Sequence, residues 1–275
     1  MHKYFEYIGI VALLLFSFVL TEKTTMITKD IDEIMIEIKD NYSNYNSKGM
    51  DATINGKYIV PGRCDKKVNI SKSYNKMRKI GFYNSDNYIY NIHKPSINIY
   101  NNYNKYIISG NKTLNNIYFF IELNTSNIKY LKLYRFNNYN FIVSSDFYLN
   151  NKKIINELEK NNNSILISQA SKKQYKKVSN DYFLDTNKRI YCYNNNENNN
   201  FLNLCSKYKS NTIGNIKSYS FNYLYNIKSN LYNGIFIKLS LNDELVNELS
   251  SIDKYINMKG YNIKNIDDNL GECKK

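Results

Sequence analysis

The side chains best suited to hold a metal ion or to carry out redox chemistry are scarce in this sequence. It contains two histidines and four cysteines, namely His2, His93, Cys64, Cys192, Cys205 and Cys273. The cysteines form no C-x-x-C pair and show no zinc-site spacing, so neither a Cys/His metal centre nor a dithiol redox site is predicted. Cys192 and Cys205 could form a disulfide in an oxidising compartment, or both could be free, buried thiols. The sequence leaves these two alternatives open.

The chain is strongly basic, with a formal net charge of +14. A basic surface favours polyanionic partners, and lysines interleaved with 28 tyrosines would suit single-stranded nucleic acid. The lysines are spread along the whole chain, however, and no recognisable nucleic-acid-binding module accompanies them. No nucleic-acid partner is therefore predicted. An anionic cell-wall polymer is kept as an alternative partner for the basic surface.

Residues 4–21 read YFEYIGIVALLLFSFVLT and are almost uninterruptedly apolar. Eighteen helical residues span about 27 Å, close to the thickness of a bilayer core. A cleavable signal peptide and a buried core helix are the alternatives, but no small-residue cleavage site follows the segment. Lys3 favours a cytoplasmic amino terminus, whereas Lys23 and Lys29 oppose it. We predict a single-pass anchor in the cell membrane, with all that follows outside the cytoplasm.

Residues 22–112 show short elements of mixed type. An amphipathic helix is predicted over 24–40 and a second over 71–80, which Gly81 would end. Short strands are expected around the Pro61-Gly62 turn and in three later segments, 88–92, 96–100 and 106–109. We therefore predict a small α+β extension between the anchor and the rest of the chain.

From residue 113 onwards, strand patterns alternate with helix patterns. The strands are predicted at 117–123, 141–143, 165–168, 234–241 and 261–263. The helices are predicted at 151–160, 198–207 and 243–260, and Asn242 or Asp243 would cap the last of them. Such alternation is typical of a parallel sheet or barrel, so residues 113–275 are predicted to form an α/β domain.

The carboxy-terminal half resembles the NodB-type polysaccharide deacetylases. GIFIKLSLNDELVNELSSIDKYINMKGYNIKNIDD is similar to that family's closing strand, helix and final strand, and RIYCYNNNENNNFLNLCSKYKSNTI has the layout of an earlier loop, helix and strand. IYFFIELN lies where the family's first strand would be, and PGRCDKKVNISKSYNKMRKIGFYN is similar to the extension of membrane-anchored members from low-GC Gram-positive bacteria. The resemblance implies a distorted (β/α) barrel.

The family's catalytic motifs are degenerate in this chain. The family chemistry needs a divalent metal held by an Asp and two His, a second Asp as general base and a later His as general acid. The resemblance places Glu122 at the base and Leu123 at the metal-binding Asp, Gln169 and Lys173 at the two metal-binding His, and Ser240 at the late His. Leucine has no donor atom and a lysine ammonium repels a cation. No metal, no cofactor and no catalysis by the family mechanism are therefore predicted.

Of the family's third motif, only Arg189 is retained. Glu122 and Arg189 could form a clamp for a ligand at the carboxyl end of the barrel, or they could be a structural ion pair. Ser240 has no histidine partner and is not predicted to be a nucleophile.

The sequence therefore predicts a catalytically inactive, deacetylase-like module of the bacterial cell envelope. Its partner would be a cell-wall glycan or another envelope protein. Two alternatives are kept. The first is an active polysaccharide or peptidoglycan N-deacetylase with a rebuilt site, and the second is a basic module that binds anionic wall polymer.

Overall fold

A computed structural model of the chain describes residues 10–11, 13–20, 30–186, 188–267, 270 and 272. Residues 10–11 and 13–20 are helical. The later helices are α1 (Glu33–Asn41), α2 (Ile70–Ile80), α3 (Ser145–Asn150), α4 (Lys152–Lys160), α5 (Lys172–Thr186), α6 (Asn199–Lys207), α7 (Tyr223–Asn230) and α8 (Asp243–Met258). The first six strands are β1 (Thr53–Asn55), β2 (Tyr58–Val60), β3 (Asp65–Val68), β4 (Tyr90–His93), β5 (Tyr106–Ile107) and β6 (Asn116–Glu122). The others are β7 (Asn140–Ser144), β8 (Ser164–Gln169), β9 (Tyr191–Tyr193), β10 (Thr212–Ile213), β11 (Lys217–Tyr219), β12 (Phe236–Leu239) and β13 (Asn262–Ile263).

The chain divides into two compact units. One comprises Met1–Lys48 and Asp65–His93, and the other comprises Gly49–Cys64 and Lys94–Lys275. These limits do not coincide with the domain boundary predicted between residues 112 and 113. The difference arises because β1, β2 and β5, which belong to the predicted extension, hydrogen-bond into the sheet of the larger unit.

In the smaller unit, α1 and α2 pack with the antiparallel pair β3–β4. Helix α2 begins one residue earlier than predicted because the side chain of Asn69, rather than a serine, accepts the backbone N–H of Lys72. It ends at Gly81, whose φ of 92° is readily adopted by glycine. The core of this unit consists of Met35, Ile38, Val68, Tyr74, Met77 and Tyr88.

In the larger unit, an 11-stranded sheet has the order β1-β2-β5-β10-β9-β8-β7-β6-β12-β11, and β13 pairs with β6 off this path. All the pairings are parallel except that of β1 with β2. The sheet curls into an incomplete barrel, with β1 and β11 at its two ends. The predicted α/β class is confirmed, and the distorted (β/α) barrel that the resemblance implied is found as a curled, incomplete barrel.

The two faces of the curled sheet carry separate apolar clusters, because successive strand residues point to opposite faces. Phe119 and Ile121 of β6 point outwards and pack with the helices. Tyr118 and Phe120 point inwards, where they contact Phe236 of β12 with ring centroids 5.3 and 5.1 Å away. The inner cluster fills the interior of the barrel, and the carboxyl ends of the strands are where barrel proteins place their active sites.

Helix α8 was the clearest helix in the sequence, and the structure has it as Asp243–Met258. Asn242 caps it by accepting the backbone N–H of Leu245. Leu245, Leu249, Ile252 and Ile256 are fully buried on one face, and each such side chain contributes about 1.5–3 kcal/mol of transfer free energy.

Some elements were predicted wrongly or missed. Residues 96–100 form no strand; instead a 3-10 turn, Ile99–Asn101, follows Pro95. Three helices, α3, α5 and α7, were not predicted. Helix α5 is the longest of them, and its buried residues Tyr175, Val178 and Tyr182 follow the helical spacing i, i+3, i+7.

The predicted anchor, residues 4–21, falls partly outside the described residues, which exclude 4–9, 12 and 21. Within the described part of the chain, no helix has the length and apolar character needed to cross a bilayer. The apolar side chains of the described stretch are exposed, Leu13 for example to 70%.

Candidate functional site at the carboxyl ends of the strands

Three adjoining cavities lie at the carboxyl ends of the parallel strands. Their volumes are about 220, 350 and 370 Å³, and all three are bordered by Ser168 and Gln169 at the end of β8. We call them together the rim cleft. Strands β6, β7 and β9 end at the same edge of the sheet, because they are parallel to β8 or linked to it through parallel neighbours. The cleft therefore has the position at which barrel proteins place their ligands.

An ion pair lies at the centre of the rim cleft. Lys238 Nζ of β12 donates to Glu122 Oε2 of β6 at 2.7 Å. Both residues belong to the inward-pointing register, since Lys238 pairs with Phe120 and follows the inward-pointing Phe236 by two positions. The Lys238 side chain is 20% exposed and that of Glu122 is 50% exposed. The pair thus lies directly on top of the aromatic interior of the barrel.

Tyr193, at the end of β9, is the third member of this group. Lys238 Nζ lies 5.5 Å from the centroid of its ring, within the range of a cation–π contact. Burial lowers the pKa of Lys238, but the Glu122 carboxylate and Tyr193 outweigh it, so that the pKa is raised overall. Burial also raises the pKa of Tyr193, against the opposing effect of Lys238. Lys238 is therefore a fixed cation and Tyr193 a neutral phenol at ordinary pH.

Amide side chains form much of the remaining wall. The loop after β9 is fixed by its asparagines: Asn194 Nδ2 donates to the Tyr106 hydroxyl at 3.1 Å, and Asn195 Oδ1 accepts the N–H of Ile216 at 2.9 Å. Gln169 and Asn196 line the cleft and are exposed. A rigid loop that presents exposed amides can donate and accept hydrogen bonds at fixed positions.

Asp146 is a further acidic residue of the cleft, and the sequence analysis missed it. It lies in the first turn of α3, directly after β7, and its Oδ1 accepts from Gln174 Nε2 at 2.6 Å. A carboxylate immediately after a buried strand could have been recognised as a rim residue from the sequence. Lys238 could have been recognised too, since a lysine at an inward position of an apolar strand needs a partner.

The resemblance matches three further positions, Leu123, Lys173 and Ser240, to catalytic residues of the family. Leu123 is 2% exposed and packs in the outer cluster under the helices. Lys173 is exposed on the first turn of α5 and does not border any of the three cavities. Ser240 follows β12. Its backbone N–H donates to the Tyr219 carbonyl, and its own carbonyl accepts from the Tyr223 hydroxyl.

The predicted clamp of Glu122 with Arg189 is not formed. Arg189 precedes β9, so it lies at the amino edge of the sheet, whereas Glu122 ends β6 at the carboxyl edge. The guanidinium of Arg189 instead donates to the Lys209 carbonyl at 3.3 Å. Lys238 is the basic partner of Glu122. The prediction for Arg189 was wrong because the motif match did not show at which end of strand β9 this residue lies.

A disulfide joins Cys192 of β9 to Cys205 of α6, with a Cα–Cα distance of 6.4 Å and a separation of 13 residues. The alternative of free thiols is therefore wrong for this pair. Because Cys192 precedes the asparagine loop by two residues, the disulfide secures the strand that carries one wall of the rim cleft.

The residues of the rim cleft do not fit the divalent metal of the deacetylase chemistry. No three His, Cys, Asp or Glu side chains lie close enough together to hold a metal ion within the described part of the chain. The carboxylate at the centre, Glu122, already has the ammonium of Lys238 at hydrogen-bonding distance. A second cation there would be repelled by that ammonium.

The fold is similar to solved structures of family 4 carbohydrate esterases (CE4). The wild-type BA3943 of Bacillus anthracis, described as a CE4 family pseudoenzyme, superimposes with a TM-score of 0.63 at 15% sequence identity over 87% of this chain and 95% of that chain. A mutant of the same protein with restored enzymatic activity gives a TM-score of 0.62 at 15% identity over 87% and 98%. No protein-family model and no curated protein matches the sequence. The resemblance to polysaccharide deacetylases is thereby confirmed at the level of the fold.

Proposed function

We propose that this chain, which has the fold of the CE4 polysaccharide deacetylases, is a non-catalytic saccharide-binding protein of the cell envelope. The observation that carries the proposal is the Lys238–Glu122 ion pair at the centre of the rim cleft. In a deacetylase this region has to hold a cation and an activated water. Here the carboxylate of Glu122 is engaged by the ammonium of Lys238.

A neutral, hydroxyl-rich ligand suits the rest of the cleft. The exposed amides of Gln169 and Asn196 offer both donors and acceptors, and Tyr193 adds a phenol and part of a ring. Such groups hydrogen-bond to sugar hydroxyl and N-acetyl groups without requiring charge on the ligand. These side chains favour a saccharide over a strongly anionic ligand within the cleft itself.

Membrane anchoring and a location outside the cytoplasm are part of the proposal. Two observations support them. Residues 10–11 and 13–20 are helical and expose apolar side chains, and the Cys192–Cys205 disulfide is of a kind that persists in oxidising compartments.

The test is a calorimetric titration of the full chain, held in phosphatidylcholine nanodiscs, with an acetylated chito-oligosaccharide. The double variant Gln169→Ala/Asn196→Ala should weaken binding about tenfold, because two hydrogen-bonding side chains are lost. Asn257→Ala, an exposed amide on α8 away from the cleft, is the matched control and should bind like the wild type. Equal binding by the double variant, or no saturable binding by the wild type, would contradict the proposal.

Binding of an anionic wall polymer through the basic surface is a second candidate, favoured by the net charge of +14. Salt distinguishes the two. Exposed charges are largely screened at high ionic strength, so polymer binding should weaken steeply between low and high salt. Saccharide binding in the rim cleft should change little.

A further inference from the structure

A large groove lies on the outside of the barrel, away from the rim cleft. Its volume is about 920 Å³, and it is bordered by the segment from Ile128 to Phe136 on one side and by α4 on the other. This is within the range of about 300–1,000 Å³ that is usual for ligand sites. The groove takes no part in the function proposed above, and we call it the outer groove.

The floor of the outer groove is apolar. Phe136 is 3% exposed and Leu158 is 6% exposed, and Ile154 of α4 lies beside them. Leu133 projects from the border and is 61% exposed. A leucine so exposed beside an open apolar floor leaves apolar surface in contact with water, which an apolar ligand would cover.

The border of the groove is positively charged. Lys129, Lys132 and Arg135 line it, against one carboxylate, Glu157. Among the described residues, neither Lys132 nor Arg135 forms a salt bridge. Lys129 Nζ lies 4.9 Å from the centroid of the Tyr130 ring. Cations without acidic partners along one border of an apolar groove form the complement of an anion attached to an apolar chain.

The groove has a firm wall on its inner side. The hydroxyl of Tyr134 hydrogen-bonds to Asp253 of α8, which also accepts from Tyr139 at 3.0 Å. These bonds fix the segment that carries Lys132 and Arg135 on the body of the barrel. The site is therefore formed before a ligand enters, which lowers the entropy cost of binding.

We propose that the outer groove binds an anionic membrane lipid, with an acyl chain on the apolar floor and the phosphate on Lys132 and Arg135. Both the acyl chain and the phosphate are required for binding. The chain supplies favourable burial, and the phosphate supplies the charge that the basic border can hold by charge-assisted hydrogen bonds.

The experiment is a calorimetric titration of the full chain in phosphatidylcholine nanodiscs with octyl phosphate, with empty discs as the blank. Octyl glucoside has the same chain with a neutral head, and inorganic phosphate has the anion without the chain. Octyl phosphate should bind saturably at one site and at least about tenfold more tightly than either of the other two. If octyl glucoside or inorganic phosphate binds as tightly, or if octyl phosphate does not saturate, the proposal is wrong.

Two surface variants locate the site. Lys132→Gln/Arg135→Gln should weaken octyl phosphate about tenfold, and Leu133→Asn should weaken it through loss of apolar contact. Lys176→Gln/Lys177→Gln removes the same charge from exposed positions on α5 outside the groove and should bind like the wild type. If both double variants bind equally, the lipid is held by the general positive charge of the protein and the groove is not its site.

Discussion

Charged groups are open to solvent at the carboxyl edge of the curled sheet and buried at its amino edge. At the carboxyl edge, Glu122 and Lys238 face an open cleft, and half of the Glu122 side chain is exposed. At the amino edge, Asp267 is 6% exposed and Tyr182 1% exposed. The Tyr182 hydroxyl donates to Asp267 Oδ2 at 3.2 Å. The same oxygen forms a salt bridge with Lys188 Nζ at 3.8 Å.

The amino edge is tied to the sheet itself. The backbone N–H of Asp267 donates to the hydroxyl of Ser164, the first residue of β8, at 3.1 Å. Glu159 of α4 also interacts with Tyr182 and Asp267. Buried groups that satisfy one another in this way stabilise a fold, whereas accessible groups with few protein partners can exchange them for a ligand. The buried groups of the amino edge therefore stabilise the fold, and the carboxyl edge is the one at which we propose binding.

The largest effect on stability is expected from the disulfide that supports the carboxyl edge. Cys192→Ser/Cys205→Ser should lower the free energy of unfolding by about 3 kcal/mol, because the unfolded chain loses a closed loop. Urea denaturation of the full chain measures it. Since neither cysteine borders any of the three cavities, the variant should still bind saccharide below its unfolding midpoint. Complete loss of binding in a folded variant would contradict that separation.

A matched pair of substitutions compares the two edges directly. Tyr182→Phe should cost about 2 kcal/mol, since it leaves the buried Asp267 carboxylate without its hydroxyl donor. Tyr193→Phe makes the same chemical change at the carboxyl edge. Tyr193 is itself buried, at 7% exposure, but its partner Lys238 keeps the Glu122 carboxylate, so the cost should be less than about 1 kcal/mol. Equal costs in urea denaturation would remove the distinction between the edges.

Glu159, at the amino edge, should also make the free energy of unfolding depend on pH. Burial raises the pKa of Glu159 to about 7 from its usual 4.5, with Tyr182 opposing the shift and Asp267 adding to it. The folded state therefore keeps a proton that the unfolded state has released. Stability should fall by about 1–2 kcal/mol as the pH rises from about 4.5 to about 7.

Glu159→Gln isolates this contribution, because glutamine does not titrate. In denaturation curves recorded between pH 4.5 and 8, the variant should lose that part of the slope. An unchanged slope would show that other groups cause it.

The smallest effect on stability is expected at the centre of the cleft. Lys238→Met should change the free energy of unfolding by less than about 1 kcal/mol, since the Glu122 carboxylate is half exposed and water can solvate it. Saccharide affinity should nevertheless fall, because the cleft loses a fixed donor. A cost of several kcal/mol would mean that the Glu122–Lys238 ion pair is structural, the role that the sequence left open for a pair of Glu122 with Arg189.

Much of the fold could be predicted from the sequence, because apolar patterns report burial. The run IYFFIEL predicted β6, and the spacing of Leu245, Leu249, Ile252 and Ile256 predicted α8. Helix α5 escaped prediction because its buried stripe consists of tyrosine and valine, which are weak helix formers, between pairs of lysines.

The site was predicted only in part. The resemblance to the deacetylase motifs placed Glu122 and Gln169 in the site, and both residues line the cleft. Lys238 could not be paired with Glu122 from the sequence alone, since that pairing depends on β12 lying beside β6, a long-range arrangement that spacing does not encode. The prediction for Arg189 was wrong for a related reason. Strand β9 begins after this residue, so Arg189 lies at the amino edge of the sheet.

We propose that the rim cleft binds saccharide without a metal and without hydrolysis. A zinc titration of the full chain by calorimetry tests this, with acetate release from an acetylated chito-oligosaccharide recorded on the same sample. We expect no stoichiometric zinc binding at the cleft, no acetate, and saccharide affinity that EDTA leaves unchanged. Tight stoichiometric zinc binding accompanied by acetate release, with both lost in Glu122→Gln, would contradict it and show a working deacetylase with a rebuilt site.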